Sequence, residues 1–256
     1  MIKILKSILK FIRSAVWWLD WTVILLLGLF FDAVVWPGNR DMYRKSERFW
    51  AWSLMKIGGI KLEITGRENL PADETVVYMP NHQSNLDWPI IFSVIPGQYL
   101  FLAKQELFSL PVFGAYMKIQ EYIPIERSNI RKSFKTYQTI ITLIKSGNSI
   151  VIFPEGTRSF NDKLGKFKPS SFSILQETKV RVVPVVIDGS TNIQPKGSKG
   201  VNPGKVRIKI LPPVSFDDLY HLENKEFSVA ASNRVREALT LGLGNNRTAA
   251  SEPVKR

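Results

Sequence analysis

The chain has 256 residues and not one cysteine. Disulfide staples, thiolate nucleophiles and cysteine-ligated metals are excluded, and the absence fits a reducing compartment. Histidine is almost as scarce, with only His82 and His221. There is no Gly-x-Ser-x-Gly, so the nucleophile elbow of the usual serine hydrolases is missing. Zinc-ligand spacings, dinucleotide-binding glycine patterns, internal repeats and low-complexity tracts are absent as well. Acidic residues are in deficit, 22 against 35 lysines and arginines, which leaves a net charge of +13. That balance attracts polyanions: nucleic acid, an anionic membrane face or a phosphorylated substrate. Hydrophobic residues make up 45% of the chain and charged ones 22%, which excludes wholesale disorder.

The first residues narrow the choice of partner. In "MIKILKSILKFIRS" the cations Lys3, Lys6, Lys10 and Arg13 fall within one arc of roughly 80° on a helix, opposite Ile4, Leu5, Ile8, Leu9 and Phe11. This is the pattern of a helix lying in a membrane interface. The apolar run at 15–36 is long enough for a bilayer core, yet it carries Asp20 and Asp32 and stops at Pro37-Gly38. Trp17, Trp18 and Trp21 are expected at headgroup level. A cleaved signal peptide and a buried core helix are the rival readings. Four cations in 1–14 balance four in 40–48, the tie expected of a shallow hairpin with both ends on one side.

Beyond residue 50, strand-like runs occur at 60–65, 75–80, 98–103, 121–126, 149–154, 180–187 and 205–211. Helical stretches separate them. The clearest is 130–146, where Ile130, Phe134, Tyr137, Ile141 and Ile144 form one stripe. Alternation of this kind implies an α/β fold with a mainly parallel sheet flanked by helices. Val206, Ile208 and Ile210 alternate with Arg207 and Lys209, as in a half-buried edge strand. The expected organisation is an N-terminal membrane-binding helical segment over 1–48, an α/β domain over 49–242 and a disordered tail over 243–256.

Ligands of open α/β sheets bind beyond the carboxyl ends of the strands. Three polar clusters follow strands: 81–87, 126–127 and 155–159. In the first, "NHQSNLDW", His82 precedes Asp87 by five positions. An imidazole can take a proton near neutral pH, and a carboxylate beside it fixes its tautomer and steadies the imidazolium. A base and its orienter without a serine or cysteine nucleophile suggest direct attack by a substrate hydroxyl. His221 and Glu226 share the same spacing but follow no strand, and read as solvated surface. The third cluster, "FPEGTRS", presents Glu155, Gly156, Thr157 and Arg158. Guanidinium, hydroxyl and turn N–H groups make a phosphate receptor. Glu155 is expected to hold an arginine or to accept from a substrate hydroxyl. Lys104 and Arg127 follow neighbouring strands, and each alone reads as a solvated cation. "GSKGVNPGKV" (197–206) lacks phosphate-loop spacing and leads into a strand, so it is set aside.

Taken in order, "NHQSNLDW", "IPIER", "FPEGTRS" and "VPVVI" resemble the four motif blocks of the glycerolipid acyltransferase family, nearest to its PlsC-like 1-acylglycerol-3-phosphate (lysophosphatidic acid) acyltransferases. The resemblance covers about residues 50 to 215. It implies acyl transfer from acyl-CoA or acyl-carrier protein, as substrate, to the sn-2 hydroxyl of 1-acylglycerol 3-phosphate, giving phosphatidic acid without metal or cofactor. His82 would be the general base and Asp87 its partner. Arg127, Glu155, Gly156, Thr157 and Arg158 would bind the acceptor's phosphoglycerol part, with Lys104 assisting. The implied partners are the phospholipid bilayer, lysophosphatidic acid and the acyl donor, not nucleic acid, and the implied place is the cytoplasmic face of the inner membrane. Two departures stand out. Glu126 replaces the aspartate of the second block, with Glu121 where a glycine is common, and Pro169-Ser170-Ser171 follows Lys168 where relatives carry a glycine-rich turn. Transfer to glycerol 3-phosphate or another lysolipid is the alternative within the family. A non-catalytic basic membrane or nucleic-acid binder is the alternative outside it, and it leaves the His82/Asp87 pair unexplained.

Overall fold

The computed structural model describes residues 2–126, 130–159 and 163–244. The N-terminal run forms one helix, α1 (Ile2–Phe30), continued by a π-helical segment (Phe31–Val35). Pro37-Gly38 breaks it. Asn39 then starts α2 (Arg40–Gly58), its side chain accepting from the Met42 N–H at 3.2 Å. The two helices pack against each other as a hairpin. Trp17 is fully buried, not at headgroup level as expected, and its Nε1 donates to the Leu54 carbonyl at 3.0 Å. Trp21 packs edge-on against Trp50, whose Nε1 donates to the Trp21 carbonyl at 3.3 Å. A buried indole N–H needs an acceptor, and the facing helix backbone supplies one.

The two acids inside the apolar run find partners the same way. Asp20 accepts from Ser53 Oγ at 2.9 Å. Asp32 accepts from Ser46 Oγ at 3.0 Å and from Gln120 Nε2 at 2.9 Å. The opposite face of α1 stays uncovered: Ile4, Leu5, Ile8, Leu9, Phe11 and Leu19 are all at least half exposed. The stretch Ser7–Val35 is long and apolar enough to cross a membrane and is mostly unburied, so it is not a core helix. An apolar face of this extent is a candidate surface for membrane association.

Seven strands follow: β1 (Ile60–Thr65), β2 (Val77–Pro80), β3 (Tyr99–Lys104), β4 (Ile123–Ile125), β5 (Ser149–Val151), β6 (Val182–Asp188) and β7 (Gly204–Ile210). They form one sheet in the order β1-β7-β6-β2-β5-β3-β4, parallel throughout except for the β6–β7 pair. Between them run α3 (Asp87–Val94), α4 (Phe113–Ile119), α5 (Ile130–Lys145), α6 (Ser173–Thr178) and the short α7 (Ser190–Ile193), with α8 (Asn224–Leu243) after the last strand. One core layer joins α1 to α4 to a face of the sheet around Trp50, Phe92 and Phe101. The other joins α5, α6 and α8 to the opposite face around Phe172, Phe216 and Phe227. Central β2 is buried at all four positions, as a strand covered on both faces must be.

The α/β expectation holds, with two corrections. β7 alternates buried and exposed residues as expected, yet it lies between β1 and β6, so the edge strand on that side is β1. Alternation reports one solvated face, not a missing neighbour. On that open face Lys205 and Arg207 pair with Glu63. The second correction is Phe134, which is 63% exposed although it belongs to the apolar stripe of α5. It faces a cavity rather than the core. Of the expected tail, all beyond Gly244 lies outside the described residues.

A buried polar cluster fastens the N-terminal hairpin to the sheet. Arg44 and Glu47 of α2 are ion-paired, and Glu47 Oε1 accepts from the hydroxyls of Tyr116, at 2.5 Å, and Tyr122. The Arg44 guanidinium lies 4.4 Å from the Tyr99 ring centroid.

Candidate active site

Strands β2 and β5 are hydrogen-bonded neighbours, so the loops leaving their carboxyl ends meet. The β2 loop begins with Asn81, which exchanges two hydrogen bonds with the Ile187 backbone of β6: Nδ2 donates at 2.9 Å and Oδ1 accepts at 2.7 Å. This side chain continues the ladder where the strand ends and sets the departure of the next residue. His82 follows, its Nδ1 2.8 Å from Asp87 Oδ2. The same oxygen accepts from the Gln83 N–H at 2.6 Å and the Ser84 N–H at 2.9 Å. Asp87 is fully buried at the start of α3, where an anion is favoured by the helix dipole. An acceptor-only carboxylate requires a hydrogen on Nδ1, so the lone pair of His82 is on Nε2. The imidazole stacks on Phe153 with 4.1 Å between centroids and borders the cavity. The two residues chosen from sequence as base and orienter are therefore in contact, with the base facing open space.

Glu155 sits elsewhere than the sequence reading placed it. It is buried, and its two oxygens are taken by backbone: Oε1 accepts from the His82 N–H at 2.7 Å, Oε2 from the Gly165 N–H at 2.7 Å. It clamps the loop that carries His82; it does not line the cavity, and the nearby Arg236 charge favours its ionised form. Burial pushes its carboxyl up to about 7, against the pull of those two N–H groups. A Cβ at Gly165 would stand 2.4 Å from Glu155 Oε2, so a side chain there would push the carboxylate aside. The clamp is reciprocal, because the Ser159 N–H donates to the His82 carbonyl at 2.9 Å. Arg236 of α8 closes the back of the turn through the Gly165 carbonyl.

The other residues singled out from sequence gather on one cavity of about 890 Å³ at the carboxyl ends of the strands. Gly156, Thr157 and Arg158 border it from the 155–158 turn, where Gly156 adopts φ +66°. Lys104, exposed at the end of β3, borders it as well. Arg127 lies outside the described residues. Sequence reading missed Lys196, which lines the cavity and donates from Nζ to the Arg158 carbonyl at 2.7 Å. It also missed Phe153 beneath the imidazole. No local pattern marks Lys196; Phe153 was visible only as one apolar residue in a strand. The lining also includes the apolar Leu102, Ile125, Phe134, Ile140, Ile152 and Ile174. A proton acceptor thus shares one cavity with cationic and apolar side chains. That arrangement suits a ligand with a charged head and a hydrocarbon chain.

Known proteins resemble this chain over most of its length. A chloroplastic 1-acyl-sn-glycerol-3-phosphate acyltransferase of Arabidopsis thaliana is 34% identical over 75% of this chain and 54% of its own length. A chloroplastic enzyme of the same name from Brassica napus is 36% identical over 78% of this chain and 58% of its own. The human alpha form of 1-acyl-sn-glycerol-3-phosphate acyltransferase is 28% identical over 71% of this chain and 63% of its own. The chain thus spans little more than half the length of the first two of these relatives. Among solved structures, the 1-acyl-sn-glycerophosphate acyltransferase PlsC of Thermotoga maritima superposes with a TM-score of 0.79 at 25% identity, over 96% of this chain and 99% of that one. Residues 61–188 match the family model described as Acyltransferase, a stretch running from β1 to the end of β6 that holds His82, Asp87 and the 155–158 turn. The chain belongs to the acyltransferase family.

Proposed function

We propose that this protein transfers an acyl group from a thioester, acyl-CoA or acyl-carrier protein, to the sn-2 hydroxyl of 1-acylglycerol 3-phosphate, giving phosphatidic acid. The observation that carries the reading is the His82–Asp87 pair, with His82 lining one cavity together with cationic and apolar side chains. The names of the relatives point to the same acceptor. Lys104 and Arg158 hold the phosphate, with Thr157 beside them, which brings the glycerol hydroxyl to His82 Nε2. Nε2 removes the hydroxyl proton as the oxygen attacks the thioester carbonyl carbon. The C–S bond of the tetrahedral adduct then breaks, and the proton on Nε2 passes to the departing sulfur. Asp87 steadies the imidazolium between these two events. No acyl-enzyme and no cofactor take part in this scheme. Positioning supplies much of the rate, because both reacting groups are held rather than met by diffusion.

The apolar face of α1 would seat the enzyme on the cytoplasmic side of a membrane, where acceptor and product both reside. The deciding test is acyl transfer by the purified chain in lipid vesicles, with labelled acyl-CoA and acyl-carrier protein offered against lysophosphatidic acid, glycerol 3-phosphate and neutral lysolipids. His82→Ala should lower kcat by about 10²–10⁴-fold while vesicle binding stays intact. Comparable turnover by that variant, or preference for an acceptor without phosphate, defeats the reading.

A further inference from the structure

Lys196 reaches the cavity from a segment without motif character, residues 194–203 between α7 and β7. The segment is closed on itself. The Asn202 N–H donates to the Ile193 carbonyl at 2.9 Å, and the Ser198 N–H donates to the Pro195 carbonyl at 3.0 Å. A loop whose ends are tied together is compact.

It is fastened on three sides. Towards the dyad, Ser84 Oγ donates to the Gln194 carbonyl at 2.7 Å, and the Ser84 N–H is one of the donors on Asp87. Towards the phosphate turn, Lys196 Nζ donates to the Arg158 carbonyl at 2.7 Å. Towards the N-terminal helix, Trp18 Nε1 donates to the Lys199 carbonyl at 2.7 Å, and Ser14 Oγ accepts from the Val201 N–H at 2.9 Å. Gly200 lies against the stem of Lys10, where an added Cβ would come within 3.0 Å of its Cε. One rigid loop therefore touches the catalytic loop, the anion-binding turn and the helix whose other face is apolar and exposed.

We infer that Lys196 is a positioning residue for the acceptor, and that the 194–203 loop is a strap through which the seating of α1 sets the 155–158 turn. The ammonium pins the exit of that turn at the Arg158 carbonyl, while Glu155 and Ser159 pin its two ends to His82. Displacement of α1 pulls on Lys199 and Val201 and reaches Arg158 through three residues of loop. Membrane contact at α1 would then order the site that receives a membrane lipid. The inference rests on the acceptor assignment above.

The test uses the full chain in anionic vesicles and reads two quantities. The first is the KM for lysophosphatidic acid against kcat. Lys196→Met keeps the stem and removes the donor, and should raise the acceptor KM about tenfold with a smaller change in kcat. Lys196→Arg should restore most of it, and the donor KM should not move. The second is amide hydrogen exchange at 156–159, read without turnover. Exchange there should quicken in Lys196→Met and equally in Trp18→Phe, a residue that does not line the cavity, and the double variant should be no faster than the faster single one. An acceptor KM within twofold of wild type, or an equal rise in donor KM, overturns the positioning role. Unchanged exchange in Trp18→Phe, or additive effects in the double variant, overturns the strap. Failure of the wild type to acylate lysophosphatidic acid would overturn the functional reading and with it the acceptor role of Lys196, whereas the strap, read by exchange without acceptor, is overturned only by its own outcomes.

Discussion

Replacing Glu155 by glutamine separates stability from activity in a way that tests its assigned place. Glu155 is buried, and its carboxyl is raised from 4.5 to about 7. The folded protein therefore holds a proton there, between those two values, that the unfolded chain has released. A carboxyl of this kind contributes its full stability below pH 4.5, and that contribution is lost as pH rises through 7. At about 1.4 kcal/mol per pH unit, the 2.5-unit gap corresponds to roughly 3 kcal/mol, an order of magnitude only. Glutamine does not titrate. The unfolding free energy of wild type relative to Glu155→Gln should then fall by roughly 2–3 kcal/mol between pH 4.5 and pH 8, measured by urea titration with tryptophan fluorescence in micelles.

Activity should move the opposite way. The ionised carboxylate accepts from the His82 and Gly165 N–H groups together, whereas an amide offers one acceptor and turns a donor towards the other N–H. An unsatisfied buried N–H costs about 1–3 kcal/mol, so kcat at pH 8 should drop by about tenfold or more in the variant that is relatively more stable there. A stability difference that does not vary with pH, or a variant as fast as wild type, would show that Glu155 is neither buried as an anion nor the clamp on His82.

Other outcomes follow from the same contacts. Asp87→Asn should cost on the order of 10⁴-fold in kcat, because an amide does not enforce the Nδ1–H tautomer. The variant's pH–rate profile and circular dichroism would distinguish this from misfolding, and retention of more than a tenth of the activity would contradict the assigned tautomer. Arg44→Met leaves Glu47 buried and unpaired, and should destabilise the protein by about 3–5 kcal/mol in denaturant titrations. Adding Glu47→Gln should recover much of that loss, since Oε1 still accepts from Tyr116 and Tyr122. No recovery would mean that the tyrosine network, not the charge pair, fastens the hairpin.

The parts of this protein legible in sequence are those whose signal is local. Alternating strand and helix periods give the α/β class, because side-chain direction repeats every two or 3.6 residues within one element. His82 and Asp87 are readable as a pair because five residues of loop and helix start bring them together without help from the rest of the chain. The amphipathic N-terminus is readable for the same reason. The partners of Glu155, by contrast, depend on which strands are neighbours. Residues 82 and 155 meet only because β2 and β5 pair, and nothing within either segment says so. Trp17 looked like a headgroup residue until α2 folded back on it. The 194–203 loop has the composition of a solvated turn, yet its backbone joins the N-terminal helix to the active-site turn. Periodicity and spacing are properties of a few consecutive residues, whereas a carbonyl's partner far along the chain is decided by packing.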